Sequence, residues 1–587
     1  MVTLEQDSDP GRLLEGLDPE QRRAAETLLG PVCILAGAGT GKTRAISHRI
    51  AYGVATGVYT PERVLALSFT VRAAGELRTR LRSLGAGGVQ SRTFHAAALS
   101  QLGYFWPQVV GGRAPGILGS KGAVIGQAAD ALRLRLDTAA LRDVAAEIEW
   151  RKVRALTPDD YERAARTREL PAGLGAGAML ELQAAYERIK DERRQMDFED
   201  VLLATAGMLE AEPAVAEQVR TQYRFFVVDE YQDVSPLQQR VLELWLGPRT
   251  DLCVVGDASQ TIFSFAGASS EFLLGFGSRW DDAEVVRLER NHRSSAAVLD
   301  TANRLMRGRP GALELVPAEQ DARRGPAPSV LAFESDAAEA DAVAAEVARQ
   351  LAAGIRPDRI AVLFRIGAQS ALVGQALAAK GISIRPLGGA RFFDHPAVKQ
   401  AMLLFASIGA GTGAAPPSRP LFQSVSDVLR DIGWTVDAPG GGPAEQERWE
   451  LLTALVELAD RAPAGTSLAR FAQELQERQV AQHEPTVAAV TLGTLHSAKG
   501  LEWDAVHIVG LSEGLLPVVH ARGFDAIDEE RRLLYVGITR ARTRLALSWS
   551  RRAHAGSGRE GSRPRAPSRF LAELSSGTPG GVSTPVR

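Results

Sequence analysis

The chain has 587 residues, of which 45% are hydrophobic and 24% charged, and its formal net charge is −2. That length exceeds one hydrophobic core and predicts about four domains, while the balance of apolar and charged residues excludes a disordered chain. A near-neutral charge excludes a generally basic surface, so any nucleic-acid track must be a local groove.

The opening MVTLEQDSDPGRLLEG is acidic and lacks the apolar centre of a secretion signal. No apolar run is long enough to span a bilayer, which predicts a cytoplasmic protein with no membrane partner. The first predicted strand, VCILAG (32–37), empties into the Gly-rich turn GAGTGKT (37–43). Gly37, Gly39 and Gly41 leave backbone N–H groups free to face phosphate oxygens at the positive end of the next helix. In that spacing Ala36 to Thr43, including Ala38 and Thr40, cradle a nucleoside triphosphate; Lys42 reaches the β/γ-phosphates and Thr43 ligates Mg2+.

A second strand, VLALSF (64–69), follows, and between Tyr104 and Lys190 the sequence turns Ala/Arg/Glu-rich with no strand signal, predicting a helical insertion. FFVVDE (225–230) ends in Asp229 and Glu230, where a triphosphate site places a metal-organising carboxylate and a base for the attacking water. LCVVGD (252–257) leads into Gln260, an amide suited to sensing the γ-phosphate, and into Phe263 and Phe265, for which core packing and base stacking both stay open. Cys33 and Cys253 each lie in an apolar strand, which argues against a disulfide framework and a cysteine metal site.

IAVLFR (360–365), VTLGTL (490–495), AVHIVG (505–510) and LALSWS (545–550) form a second strand group, interrupted after Phe405 by amphipathic helical runs. The expected fold class is therefore α/β, with two parallel-sheet domains that each carry a helical insertion. The expected boundaries are 1–103 with 190–285 for the first domain and 104–189 for its insertion. The second domain is placed at 286–395 with 487–570, its reduced insertion at 396–486 and a disordered tail at 571–587. The basic stretch RRAHAGSGREGSRPR (551–565) reads as a solvated linker, with a duplex-binding patch as the alternative.

The ordered blocks GAGTGKT, LSFTVRAAGEL, TFHAAAL, MDFEDVL, VVDEYQDVSPLQ, GDASQTIFSFAGA, LERNHRSS, TLHSAKGLEWDAV and EERRLLYVGITRAR resemble those of UvrD/Rep/PcrA-type superfamily 1 DNA helicases. They look most like the UvrD-like helicases of high-GC Gram-positive bacteria. The resemblance implies two RecA-like motor domains, ATP and Mg2+ as cofactors, and 3′ to 5′ movement on single-stranded DNA and its junctions with duplex. It also implies a place in DNA repair or replication, where partner proteins of those pathways are possible.

Laid onto this sequence, the resemblance assigns Gln21 and Arg44 to the adenine and His292 to the position that stacks on it. It assigns Arg293 and Arg540 to the γ-phosphate and Glu502 to the ribose, with Arg540 read in a strand-to-helix context. It places Phe69, Thr70, Arg72, His95, Phe198, Phe263, Phe265, Thr494, His496 and Lys499 along the DNA path, where His95 would bond phosphate or stack on a base.

The chain departs from the family pattern in several places. Val71 and Arg72 replace a polar residue and a lysine, His292 replaces a Tyr, Phe263 replaces a Tyr, and Ala266 replaces an arginine near the junction of the ATP and DNA sites. The second insertion, between Pro396 and Thr486, is shorter than this family normally carries. The short insertion and Ala266 favour an alternative to a full helicase, a DNA-stimulated ATPase that translocates and strips proteins but unwinds little; a non-catalytic DNA clamp is a reading from a different class, against which Lys42, Asp229, Glu230, Gln260, Arg293 and Arg540 argue.

Overall fold

A computed structural model describes residues 9–575, apart from residues 169 and 464 and the segments 319–324, 388–391, 412–418, 438–442, 481–487 and 554–563. The chain divides into two compact units, Met1–Gly37 with Gly41–Leu288, and Glu289–Arg587 with Ala38–Thr40.

The first unit is built on a six-stranded sheet of β1 (Val32–Ala36), β2 (Val64–Ser68), β3 (Gln90–Thr93), β4 (Phe225–Val228), β5 (Leu252–Gly256) and β6 (Glu284–Leu288). Its order is β3-β2-β4-β5-β1-β6, and every pairing is parallel. Parallel strands need helices on both faces, so the central strands read as unbroken apolar runs; β2, β4 and β5 are buried throughout. Cys33 and Cys253 face opposite sides of this sheet, one packed near Phe226 and the other near Phe225, so they cannot pair.

The insertion is a bundle around Tyr161, Tyr186, Leu182 and Ile125, made chiefly of helices Lys121–Ala131, Thr138–Val153, Pro158–Ala165 and Ala176–Glu192. One correction applies there. Gly116–Ile117 pairs in parallel with Gln195–Met196, a two-residue ladder too short to leave any periodic signal. In addition, the helix Phe94–Val109 runs through the expected start of the insertion.

The second unit holds another six-stranded parallel sheet: β7 (Ser329–Phe333), β8 (Ile360–Phe364), β9 (Ile384–Pro386), β10 (Val490–Thr494), β11 (Trp503–Ile508) and β12 (Ala541–Ser550), in the order β7-β12-β11-β8-β10-β9. Helices Pro396–Gly411, Leu421–Asp431, Pro443–Asp460 and Leu468–Val480 form its insertion around Phe405, Leu455 and Phe471.

The tail also needs correction. Arg569–Ser575 is helical, and Phe570, Leu571 and Leu574 are buried, so order extends past residue 571. These apolar residues anchor the segment before its Gly/Ser/Thr/Pro-rich remainder at 576–587, which lies outside the described residues. Most of the basic stretch does too, but Arg551 is ion-paired to Glu334 and Arg565 to Asp336. Among the described residues no helix is long and apolar enough to cross a membrane.

Candidate nucleotide and nucleic-acid sites

In a parallel sheet all carboxyl ends lie along one edge, so loops from separate strands converge there. In the first unit the Gly-rich loop leaves β1, Asp229 and Glu230 leave β4, and Gln260 follows β5. Lys42 and Thr43 open the helix Lys42–Ala55, whose N-cap Gly41 has φ +80. A Cβ on Gly41 would also lie 2.6 Å from the Gln21 side-chain amide, so glycine is required there twice over. Gln21 is buried and completes a capping box with Asp18, while Arg44 donates to the Gly16 carbonyl at 2.9 Å. Ala36 is buried at the end of β1.

The carboxylates are organised by one buried amide network. Lys42 Nζ lies 3.7 Å from Glu230 Oε2, and Gln232 Nε2 donates to the same oxygen. Gln232 Oε1 accepts the Asp257 N–H at 3.0 Å, and Asp257 Oδ2 accepts Gln260 Nε2 at 2.8 Å. Gly256 makes this approach possible, because a Cβ there would fall 2.5 Å from Gln232 Oε1. The network thus ties the Glu230 carboxylate to the Gln260 amide across two strand ends. Neither Gln232 nor Asp257 stood out in the sequence, since their roles depend on strands β4 and β5 being neighbours.

Burial, reinforced by the Glu230 charge and opposed by Lys42, raises the Asp229 pKa to about 7. Glu230 sits at φ +54, a left-handed conformation that costs a non-glycine residue on the order of 1 kcal/mol and is retained where the surroundings fix it. Asp229 and Glu230 share the single Lys42 ammonium, so a divalent cation would relieve the repulsion that raises the Asp229 pKa, and Asp229 and Thr43 are the residues that would hold one.

The same sheet edge carries aromatic rings. Phe69 follows β2 and stacks on Phe263 with centroids 5.7 Å apart, and Phe265 meets Phe263 edge-on at 6.0 Å. Phe265 is 65% exposed, which removes the core reading for that ring, and Phe69 is 38% exposed, while Phe263 between them is half-buried. Phe198, 59% exposed, stands edge-on to His95 at 5.7 Å. Burial lowers the His95 pKa to about 4, so at neutral pH the ring is uncharged and offers a π-face or a neutral hydrogen bond. Thr70 caps the helix Val71–Ser83 through Ala73 N–H, and Arg72 pairs with Glu76 one turn on at 2.9 Å. Ala266 is exposed in the turn beside Phe265.

In the second unit the candidate residues occupy opposite edges of the sheet. Thr494, His496 and Lys499 follow the carboxyl end of β10; burial, then the Arg365 charge, lowers the His496 pKa to about 4. At the amino-terminal edge, Glu502 precedes β11 and is gripped by Arg293 Nε and Arg542 Nη2 on its two oxygens. Burial opposes the Glu502 charge, but the two guanidinium groups outweigh it and lower its pKa. Arg542 is a partner the sequence reading did not single out.

Arg540 lies between the helix Phe524–Ile538 and β12, a helix-to-strand junction rather than the expected strand-to-helix one. It is buried, donating to the Val536 carbonyl at 2.9 Å and the Leu501 carbonyl at 3.2 Å. Gly39, φ +71, packs where a Cβ would meet Asn291 Nδ2 at 2.5 Å, and the neighbouring His292, which donates its backbone N–H to the Gly39 carbonyl, is exposed.

Comparison with known proteins agrees with this arrangement. Residues 17–281 match the UvrD/REP helicase N-terminal domain, and residues 286–409 with 430–552 match the UvrD-like helicase C-terminal domain. The chain is 47% identical over 587 residues to the ATP-dependent DNA helicase UvrD2 of Mycobacterium tuberculosis, a match spanning 96% of this chain and 82% of that protein. It is 29% identical to UvrD1 of Mycobacterium bovis (92% of this chain, 83% of that protein) and 27% identical to PcrA of Bacillus subtilis (96% and 86%). With both halves matched in order and each sheet presenting its motif residues at defined edges, the chain belongs to the UvrD/REP helicase family.

Proposed function

We propose that this chain is an ATP-dependent DNA helicase that moves 3′ to 5′ along single-stranded DNA in repair or replication. The observation that carries the reading is the shared edge of the first sheet, where the triphosphate loop, the Asp229–Glu230 pair, Gln260 and an aromatic row exposed at Phe69 and Phe265 lie together. Bases stacked on Phe69, Phe263 and Phe265 would then be linked to Gln260 through a single connecting loop, residues 261–265.

In this reading Gly37 to Thr43 hold the phosphates, Gln21, Arg44 and His292 meet the base, and Glu502 meets the ribose. Lys42 stabilises charge on the β/γ-phosphates, Glu230 takes the proton of the attacking water, and Gln260 orients that water. Arg293 and Arg540 stabilise the transition-state charge. Mg2+, held by Asp229 and Thr43, would neutralise phosphate charge. Thr70, Arg72, His95, Phe198, Thr494, His496 and Lys499 contribute to the DNA path.

Ala266 favours a second reading. It removes a long cationic side chain beside Phe265, which would weaken the link between hydrolysis and strand separation and leave a translocase that strips bound proteins. Strand displacement on 3′-tailed, 5′-tailed and blunt duplexes, with displacement of a labelled bound protein measured in parallel, decides between them. Separation of only the 3′-tailed duplex supports the helicase; protein displacement without strand separation selects the translocase.

A further inference from the structure

The chain has 68 cationic residues, and only seven of them are lysine. Three of those seven converge on one turn of one helix. The helix Phe198–Ala211 begins with a capping box in which Asp197 and Asp200 bond each other's backbone N–H groups. Lys152, near the end of the helix Thr138–Val153, reaches Asp197 Oδ2 at 2.7 Å and Asp200 Oδ1 at 2.6 Å. Lys190, from the helix Ala176–Glu192, reaches Asp197 Oδ2 at 3.1 Å and also bonds Asp200 Oδ2. Lys121, which opens the helix Lys121–Ala131, bonds Glu199 Oε2 at 2.8 Å and Glu149 Oε1 at 2.6 Å.

Glu187 closes the cluster from outside, 2.7 Å from both Lys152 and Lys190. Glu187, Asp197 and Asp200 lie close enough to hold a cation, but two ammonium groups already fill that place. Burial works against the Lys152 charge, and the Asp197 and Asp200 carboxylates outweigh it, so the amine stays protonated. The Tyr186 hydroxyl adds a hydrogen bond to Asp197 Oδ2 at 2.8 Å. Compact ammonium groups suit these crowded positions, because each offers three donors from one point where a guanidinium would bring a rigid plane.

All three lysines come from the helical insertion, and all three grip the turn that carries the exposed Phe198 ring. We propose that Lys121, Lys152 and Lys190 are positioning residues that clamp this turn to the insertion and so fix the Phe198 ring beside His95 on the DNA path. The inference rests on the reading of Phe198 as a DNA contact. It makes the insertion a support for the motor's DNA track, since a rigid ring loses less freedom when a base stacks on it.

The test compares Lys152→Met, Lys152→Arg, Lys121→Met and Phe198→Ala in the full chain. The readouts are the concentration of a single-stranded oligonucleotide that half-maximally stimulates ATP hydrolysis, the maximal rate, and the melting temperature. Lys152→Met is expected to raise the half-saturating concentration about tenfold with the maximal rate within about twofold, and Lys152→Arg does not rescue it. Adding Phe198→Ala to Lys152→Met gives no further rise, because both act through one ring. Lys121→Met, on the outer side of the cluster, gives a smaller rise and serves if Lys152→Met does not fold.

If Phe198→Ala weakens half-saturation but the lysine variants change only melting temperature, the clamp is overturned while the DNA path stands. If Phe198→Ala has no effect, the path reading at that residue fails and the clamp falls with it.

Discussion

Replacing Gln232 with Leu keeps the volume of a fully buried side chain but removes both hydrogen bonds of its amide. The Asp257 N–H then loses its acceptor inside the protein, which costs about 1–3 kcal/mol. Glu230 loses a donor that fixes its carboxylate, and the tie through Asp257 to Gln260 is cut. If Glu230 is the base that acts on water, releasing its carboxylate should slow hydrolysis about 10- to 100-fold, equivalent to about 1.4–2.7 kcal/mol of barrier. The assay is steady-state ATP hydrolysis at saturating single-stranded DNA, with urea unfolding of the same protein. The expected result is a fall in maximal rate larger than any change in KM, together with the stability loss. A maximal rate within about twofold of the parent, with stability lowered as calculated, would refute the positioning role.

Other expectations follow from the same geometry. His507 is buried, with a pKa lowered by burial from 6.5 to about 4. The unfolded chain therefore takes up a proton first as pH falls, so the contribution is constant above about pH 6.5 and lost progressively toward pH 4, by up to about 3 kcal/mol. Urea midpoints from pH 7.5 to 4.5 should fall less steeply in His507→Gln than in the parent; equal slopes would contradict this. His95 and His496, both with pKa near 4, should add no charge to DNA binding between pH 6 and 8, so replacing either with Gln should leave the salt dependence of oligonucleotide affinity unchanged. Phe265→Ala should weaken oligonucleotide affinity by about 1–3 kcal/mol, read by fluorescence anisotropy. Its 65% exposure predicts an unchanged melting temperature, so a large drop there would mean the ring packs instead of binding.

The fold class was legible because buried parallel strands have a simple signature, an apolar run followed by a turn, and eight runs in the chain have it. What lacked that signature was missed. β3 reads Gln-Ser-Arg-Thr and pairs only with β2 at an edge, and β7 is an edge strand half-exposed along its length. The Arg569–Ser575 helix was hidden by its proximity to a Gly/Ser-rich end.

At the candidate site, residues adjacent in sequence to strand ends could be found, such as Lys42, Asp229, Glu230 and Gln260. Those acting through space could not. Gln232 and Asp257 meet only because β4 pairs with β5, and Arg542 meets Glu502 because β11 pairs with β12. The three lysines of the clamp are separated by up to 69 positions from one another and gather only in the folded insertion.

The central claim is that one sheet edge couples triphosphate hydrolysis to bound single-stranded DNA. The most direct measurement is ATP hydrolysis by the parent chain and by Lys42→Ala, each with and without a single-stranded oligonucleotide. The account predicts strong stimulation of the parent by DNA and loss of hydrolysis in Lys42→Ala under both conditions. Hydrolysis indifferent to DNA, or undiminished in Lys42→Ala, would contradict it.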